Sequence, residues 1–344
     1  MKMALKEMKK NKMRFFILGS IVFLVSFLTL IISGLANGLS QDNAALIKNL
    51  PDGRFYMAED ADQTYNLSKI EPDTQSDILQ KYKDAVAFSI QMGFLNDMHD
   101  KQKSVAFVTS TDSSHFEKVN KGEVILDQSM QNAGINIGDT LTNNQHNGEF
   151  TVIGFAEHSK YSHAPVAYIN TEDYKEIYQI NNMQLLFIPG EDSPQKVSDL
   201  HAFTKEEFLN TISSYKAEQM SLNMIIWFLV IISGMLFAIF FYMMNIQKLG
   251  LYGILKAIGV KTSSLFNMMW TQMAFITVIA LGMSIACSQT FNLLAPTSMP
   301  FHLTTETTVQ LSAVFFLIGF IGATLSGIQI KKIEPLQAIQ QGEM

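Results

Sequence analysis

The chain carries a single cysteine, Cys287, in 344 residues, so no disulfide can form within it. Any domain it exposes must hold together on an apolar core, as chains of about 100 residues or more can. No GxxxxGK[ST] phosphate loop occurs, and without that cradle the chain does not bind ATP in the P-loop manner. HExxH, CxxC and GxSxG are missing too, which leaves a metalloprotease, a dithiol enzyme or a hydrolase without its reacting groups. No catalytic residues and no resident metal or cofactor are expected. No solenoid or propeller period runs along the chain. Ionisable side chains are absent from four stretches, residues 15–35, 221–244, 265–287 and 309–328, which contain no Asp, Glu, Lys, Arg or His. A channel for an ion or sugar should carry such groups on its lining, so that function is disfavoured.

What is present begins with those same stretches, 21, 24, 23 and 20 residues long. At about 1.5 Å of rise per residue, each can cross a hydrocarbon layer of about 30 Å as a helix. The first exceeds the roughly 7–15 apolar residues of a secretory signal and is expected to remain as an anchor. Between the first and second lie 184 residues, 37–220, polar enough to fold in water. The expected fold class is an α-helical membrane protein with four transmembrane helices in a one-plus-three arrangement. A mixed α/β extracellular domain is inserted between helices 1 and 2.

Charge gives the orientation. Six basic residues (Lys2, Lys6, Lys9, Lys10, Lys12, Arg14) stand against Glu7 in the first 14 positions; Lys248, Lys256 and Lys261 fill the connection after the second run. An excess of Lys and Arg in short flanks marks the cytoplasmic side. The expected layout is a basic cytoplasmic segment 1–14, transmembrane helix 15–36, extracellular domain 37–220, transmembrane helix 221–244, cytoplasmic loop 245–264, transmembrane helix 265–287, short outer loop 288–308, transmembrane helix 309–329 and cytoplasmic tail 330–344. The outer domain has 14 basic and 27 acidic residues, a net of −13 in a chain of net −6. Nucleic acid is therefore excluded as its partner, and the lipid bilayer is the expected surrounding.

Within the outer domain, residues 71–85 have a proline near the start and apolar residues at helical spacing, which predicts a helix. Strands are predicted at 87–92, 105–109, 122–127, 140–142, 149–155, 165–170 and 184–189, where β-branched and aromatic residues lie between turn formers. Helices are expected at 171–180 and 205–220, the latter running without interruption into the second membrane helix.

The cytoplasmic loop reads NIQKLGLYGILKAIGVKTSSLF, with Leu249, Tyr252, Ile254, Leu255 and Ile258 largely on one helical face and lysines around it. One reading is an interfacial anchor with snorkelling lysines. The other follows from a resemblance. The stretch GILKAIGVKTSSLF, the tail IKKIEPLQAIQ, and the AGINIGD turn followed by FTVIGF are similar to FtsX-like permeases of the MacB type, in family order and over most of the chain. The stretches SYKAEQMSLNMII, TSMPFHLTT and SGLANGL resemble the haem-exporting branch of that family in Gram-positive bacteria. The resemblance implies a plasma-membrane exporter permease that is not itself an enzyme. Haem would be its transported substrate, and a separate ABC ATPase subunit would bind the ATP. A homodimer of the permease would complete the assembly. It also implies that Lys248, Gly253, Leu255, Lys256 and Gly259 couple to the ATPase. Small residues, Ser33-Gly34 and Ser233-Gly234, suggest that the first two helices pack against the second copy.

Haem iron is held by His, Met, Tyr or Cys, and the amphipathic macrocycle asks for aromatic walls with basic groups for its propionates. Arg54, Phe55 and Tyr56 offer this combination, as do Lys160, Tyr161, His163 and Tyr168; Met220, with Met224 one turn on, lies where the outer domain meets the second helix. Iron contact is assigned to Tyr161 or His163, with no other metal site. Two alternatives stay open: export of another amphiphile such as an antimicrobial peptide, macrolide or lipid, and a non-transporting FtsX-like transmitter of force to an outer domain.

Overall fold

The computed structural model describes residues 2–145, 148–296 and 299–332. The last part of the tail motif, from residue 333, lies outside the described residues. Two compact units divide the chain, Met1–Gly38 with Ser221–Met344, and Leu39–Met220.

In chain order the elements are α1 (Lys2–Lys10), α2 (Lys12–Lys48), β1 (Gly53–Ala58), α3 (Pro72–Lys81), β2 (Val86–Asn96), β3 (Gln102–Ser110), β4 (Glu123–Asp127), α4 (Ser129–Asn132), β5 (Thr140–Thr142), β6 (Glu149–Ala156), β7 (Lys160–Tyr161), β8 (Ala164–Ile169), α5 (Thr171–Tyr178), β9 (Leu185–Pro189), β10 (Leu200–Thr204), α6 (Lys205–Thr211), α7 (Ser213–Ile246), α8 (Leu249–Ala257), α9 (Thr262–Leu294) and α10 (Thr305–Lys332).

The outer domain is one sheet in the order β10-β1-β9-β2-β3-β8-β4-β6-β5, with an extra bridge between Asn96 of β2 and Thr142 of β5. That bridge closes six strands into a ring around Leu95, Phe107, Leu126, Phe150, Val152 and Ile169, all buried. A second core holds Phe55, Phe88, Phe187 and Phe208 with Ala44 and Ile47 of α2. Local chemistry sets the helix ends. α3 starts on Pro72, whose missing N–H costs nothing at the first turn. A capping box of Thr204 and Glu207 starts α6, each side chain taking the other's backbone N–H.

Two boundaries differ from expectation. α2 continues past the apolar run to Lys48, with a kink at Ala44 (φ −144°, ψ 21°). The helix expected over 205–220 is interrupted at Ile212, whose ψ of 102° is extended, and α7 begins afresh at Ser213.

In the membrane unit α2, α7, α9 and α10 are long and apolar enough to span a bilayer. Some of their polar side chains pair between helices: Ser26 Oγ lies 2.6 Å from Ser284 Oγ, and Trp270 Nε1 donates to Thr324 Oγ1 at 3.0 Å. A side chain at Gly322 would crowd Phe237 and the backbone of Gly234 and Ala238, and one at Gly327 would run into Met269 and Phe266. The small pairs expected to face a second copy are used inside the chain instead. Ser33 and Ser233 are buried, Gly34 is covered by the Phe301 ring, and a Cβ at Gly234 would lie 2.7 Å from Ile318. Small residues permit close approach whichever neighbour arrives, and here the neighbour is the same chain.

Candidate functional site

Two polar clusters stand out. The first is in the outer domain, among the part of α2 beyond Leu39, the β7–β8 turn and the first turns of α7. The kink at Ala44 leaves the carbonyls of Asp42 and Asn43 available to a second partner. The Ser162 N–H donates to Asn43 at 2.7 Å and the His163 N–H to Asp42 at 3.1 Å. Both donors sit at positive φ, 50° and 63°, a conformation that costs a non-glycine residue about 1 kcal/mol or more and persists where the surroundings enforce it. Side chains complete the knot. The buried Asn43 donates through Nδ2 to Glu218 Oε2 (3.0 Å), lies 3.2 Å from His163 Nε2, and accepts from Ser214 Oγ (3.2 Å). His163 Nε2 is 3.4 Å from Glu218, and Lys160 Nζ donates to Asp42 at 2.9 Å. One asparagine thus ties a helix, a hairpin turn and a second helix.

Of the haem-contact residues named from sequence, most lie inside the domain. Phe55 is fully buried and stacks on Phe208 at 4.6 Å; Tyr56 is fully buried and donates to the Pro194 carbonyl at 2.6 Å. Tyr161 is fully buried edge-on to Tyr65, and Tyr168 is buried with its hydroxyl 2.6 Å from Ser159. Burial pushes the Tyr56 and Tyr168 phenols up to about 12 and the Tyr161 phenol well above its usual value, so none supplies a phenolate near neutrality. These rings do not form the walls of an open cleft in this conformation. Arg54 is half-buried, its Nε donating to the Ser193 carbonyl. The two with exposed side chains are Met220, 64% exposed, and His163, whose Nε2 is held in the Asn43 knot.

The second cluster lies in the membrane unit at the cytoplasmic loop. Glu7 of α1 forms an ion pair with Lys248 and accepts from Gln272 Nε2 of α9 at 2.7 Å; Lys248 and Gln272 are both buried. Beside them Tyr252 donates to Asn245 Oδ1 (3.3 Å), and Asn245 Nδ2 donates to Ser326 (3.2 Å). Lys248, Gly253 and Leu255, assigned from sequence to an ATPase contact, are thus turned inward. Gly259 has a structural reason of its own. It sits at φ +91°, its N–H on the Lys256 carbonyl and the Val260 N–H on Leu255, the left-handed cap that ends a helix on glycine. The residues α8 and its end leave open are Leu251, Ile254 and Ile258, 47%, 52% and 72% exposed. Their i, i+3, i+7 spacing is visible in the sequence.

Residues 223–335 match the FtsX-like permease C-terminal family, so the chain carries an FtsX-like permease domain. With four helices of membrane length it is a multi-pass membrane protein, and its lysine-rich flanks put the large domain outside. Over its full length the chain is similar to two staphylococcal proteins that bear the provisional name hemin transport system permease protein HrtB. The one from Staphylococcus haemolyticus is 28% identical over 353 residues, 98% of this chain and 99% of the relative. The one from Staphylococcus epidermidis is 28% identical over 356 residues, all of both chains. Among solved structures, the periplasmic region of MacB from Actinobacillus actinomycetemcomitans aligns at 13% identity and a TM-score of 0.35, covering 46% of this chain and 92% of that one.

Proposed function

We propose that this protein is the permease subunit of an ATP-driven exporter that carries haem outward across the cell membrane. The observation that carries the reading is the end-to-end similarity to proteins named as hemin transport permeases, at 28% identity. The chain has no phosphate loop of its own, so hydrolysis is supplied by a separate ABC ATPase of the HrtA kind. Two copies of the permease and two of the ATPase form the transporter.

Coupling runs through α8. Leu251, Ile254 and Ile258 form an apolar strip beside the capped helix end, and an apolar strip of this size is an anchor for a partner's groove. Lys256 flanks it. Lys248, Gly253, Leu255 and Gly259 act by holding the helix rather than by touching the ATPase. Outside, the Asn43 knot transmits movement between α2, α7 and the hairpin. Cargo contact falls to His163 and Met220, whose side chains are exposed, with Arg54, the one arginine of the outer domain, as the guanidinium candidate for a propionate.

The test is haem binding by the purified full-length protein. A His163→Ala, Met220→Ala variant should lose or shift the Soret band, whereas Tyr168→Phe should keep it. A wild type that binds no haem in detergent or lipid removes haem as the cargo, leaving another amphiphile.

A further inference from the structure

We propose that the membrane unit holds one anionic phospholipid of the cytoplasmic leaflet, with its acyl chain between α2 and α9 and its phosphate on the lysines around α1. A cavity of about 390 Å³ opens between these helices, lined by apolar side chains including Met8, Phe16, Phe23, Phe275 and Met283, with Gly19 at its wall. On α2 it runs from Phe15 to Phe23 and on α9 from Phe275 to Met283, about 12 Å on each at helical rise, close to the depth of one leaflet in a layer of about 30 Å.

Charge at the mouth selects the occupant. Met8 belongs to α1, Lys9 is adjacent to it, and Lys12 opens α2 one helical turn before Phe16. Both lysines are exposed. Glu7, the one acid among the first 14 residues, is already paired with Lys248 and Gln272, so it does not neutralise them. That pairing also fixes α1 against α9. An uncharged greasy cleft below unneutralised cations fits a diacyl lipid with a net negative headgroup; a zwitterionic lipid would bring its own cation to the lysines. This site is independent of the haem reading.

The experiment is native mass spectrometry of the full-length Cys287→Ser protein with dioleoylphosphatidylglycerol, dioleoylphosphatidylcholine or inorganic phosphate. One phosphatidylglycerol should be retained, about thirtyfold in preference to phosphatidylcholine for two lysines, and inorganic phosphate should not be held. Lys9→Gln with Lys12→Gln, both on the surface, should erase the preference with the helical content unchanged. Gly19→Leu, which fills the cavity, should lose both lipids. Equal retention of the two lipids by the wild type, an undiminished preference in the lysine variant, or retention by Gly19→Leu each overturns the proposal. So does a disulfide between copies of a Phe16→Cys variant in lipid, since a second chain would then occupy the cleft.

Discussion

The two units dispose of their polar groups in opposite ways. The outer domain, with its excess of 13 negative charges, leaves most of them in water and builds its interior from rings and aliphatics; the Asn43 knot is a local exception. The membrane unit surrounds itself largely with apolar side chains and pairs several polar ones inside, as Ser26 with Ser284, Asn245 with Ser326, and Glu7 with Lys248 and Gln272. In water the apolar core drives assembly. In lipid apolar contact is no longer distinctive, so small residues and paired polar groups decide which helix meets which.

Core disruption in the outer domain should have the largest effect. Phe55→Ala is expected to cost about 3–5 kcal/mol in thermal unfolding of the full-length protein, because the ring is enclosed by Phe187 and Phe208. A cost below about 1 kcal/mol would mean the ring is not part of the core and would reopen it as a cargo wall. Next comes Glu7→Ala, which leaves Lys248 buried and unpaired at a cost of about 3 kcal/mol. Replacing both partners, Glu7→Gln with Lys248→Met, should recover most of that. If the double variant is as unstable as the single one, the pair does not hold the membrane unit.

Glycines give a smaller and signed contrast. A methyl at Gly38 would meet the Pro300 backbone at 2.2 Å, so Gly38→Ala should cost about 1–3 kcal/mol. At Gly250 nothing lies within 4 Å, and Gly250→Ala in α8 should stabilise by about 0.5–1 kcal/mol. The smallest effect is at the α6 cap. Thr204→Ala should cost about 1 kcal/mol, and the hydrogen bonds from Thr204 hold the Glu207 carboxyl below its usual range. A depressed carboxylate contributes stability above its unfolded pKa and loses it as pH falls through the folded value. The gap between wild type and Glu207→Gln should therefore be present at neutral pH and close in acid. A gap that widens in acid contradicts the assigned cap.

The sequence reading is uneven for physical reasons. Charge-free runs of membrane length are self-declaring, and β2, β3 and β6 were legible because β-branched residues cluster between turns. β1 carries no alternating signal: Phe55, Tyr56 and Met57 are all buried, since sheet and helices cover both faces. The same burial explains the tyrosines. A Tyr with a basic neighbour looks identical in sequence whether it lines a cleft or fills a core. The kink at Ala44 has no glycine or proline to mark it. On α8 the apolar face read from the sequence mixes buried residues, Tyr252 and Leu255, with exposed ones, Ile254 and Ile258, because apolar character alone does not say which of them meets the bundle.

The most direct measurement is ATP hydrolysis by the partner ATPase reconstituted with this permease in lipid, with and without haem. The wild type should raise turnover when haem is added. An Ile254→Asp, Ile258→Asp variant, altered only at exposed positions, should insert and fold normally yet lose about tenfold or more of that stimulation, as a hot-spot anchor should. Undiminished stimulation in the variant, or a wild type indifferent to haem, would contradict the account.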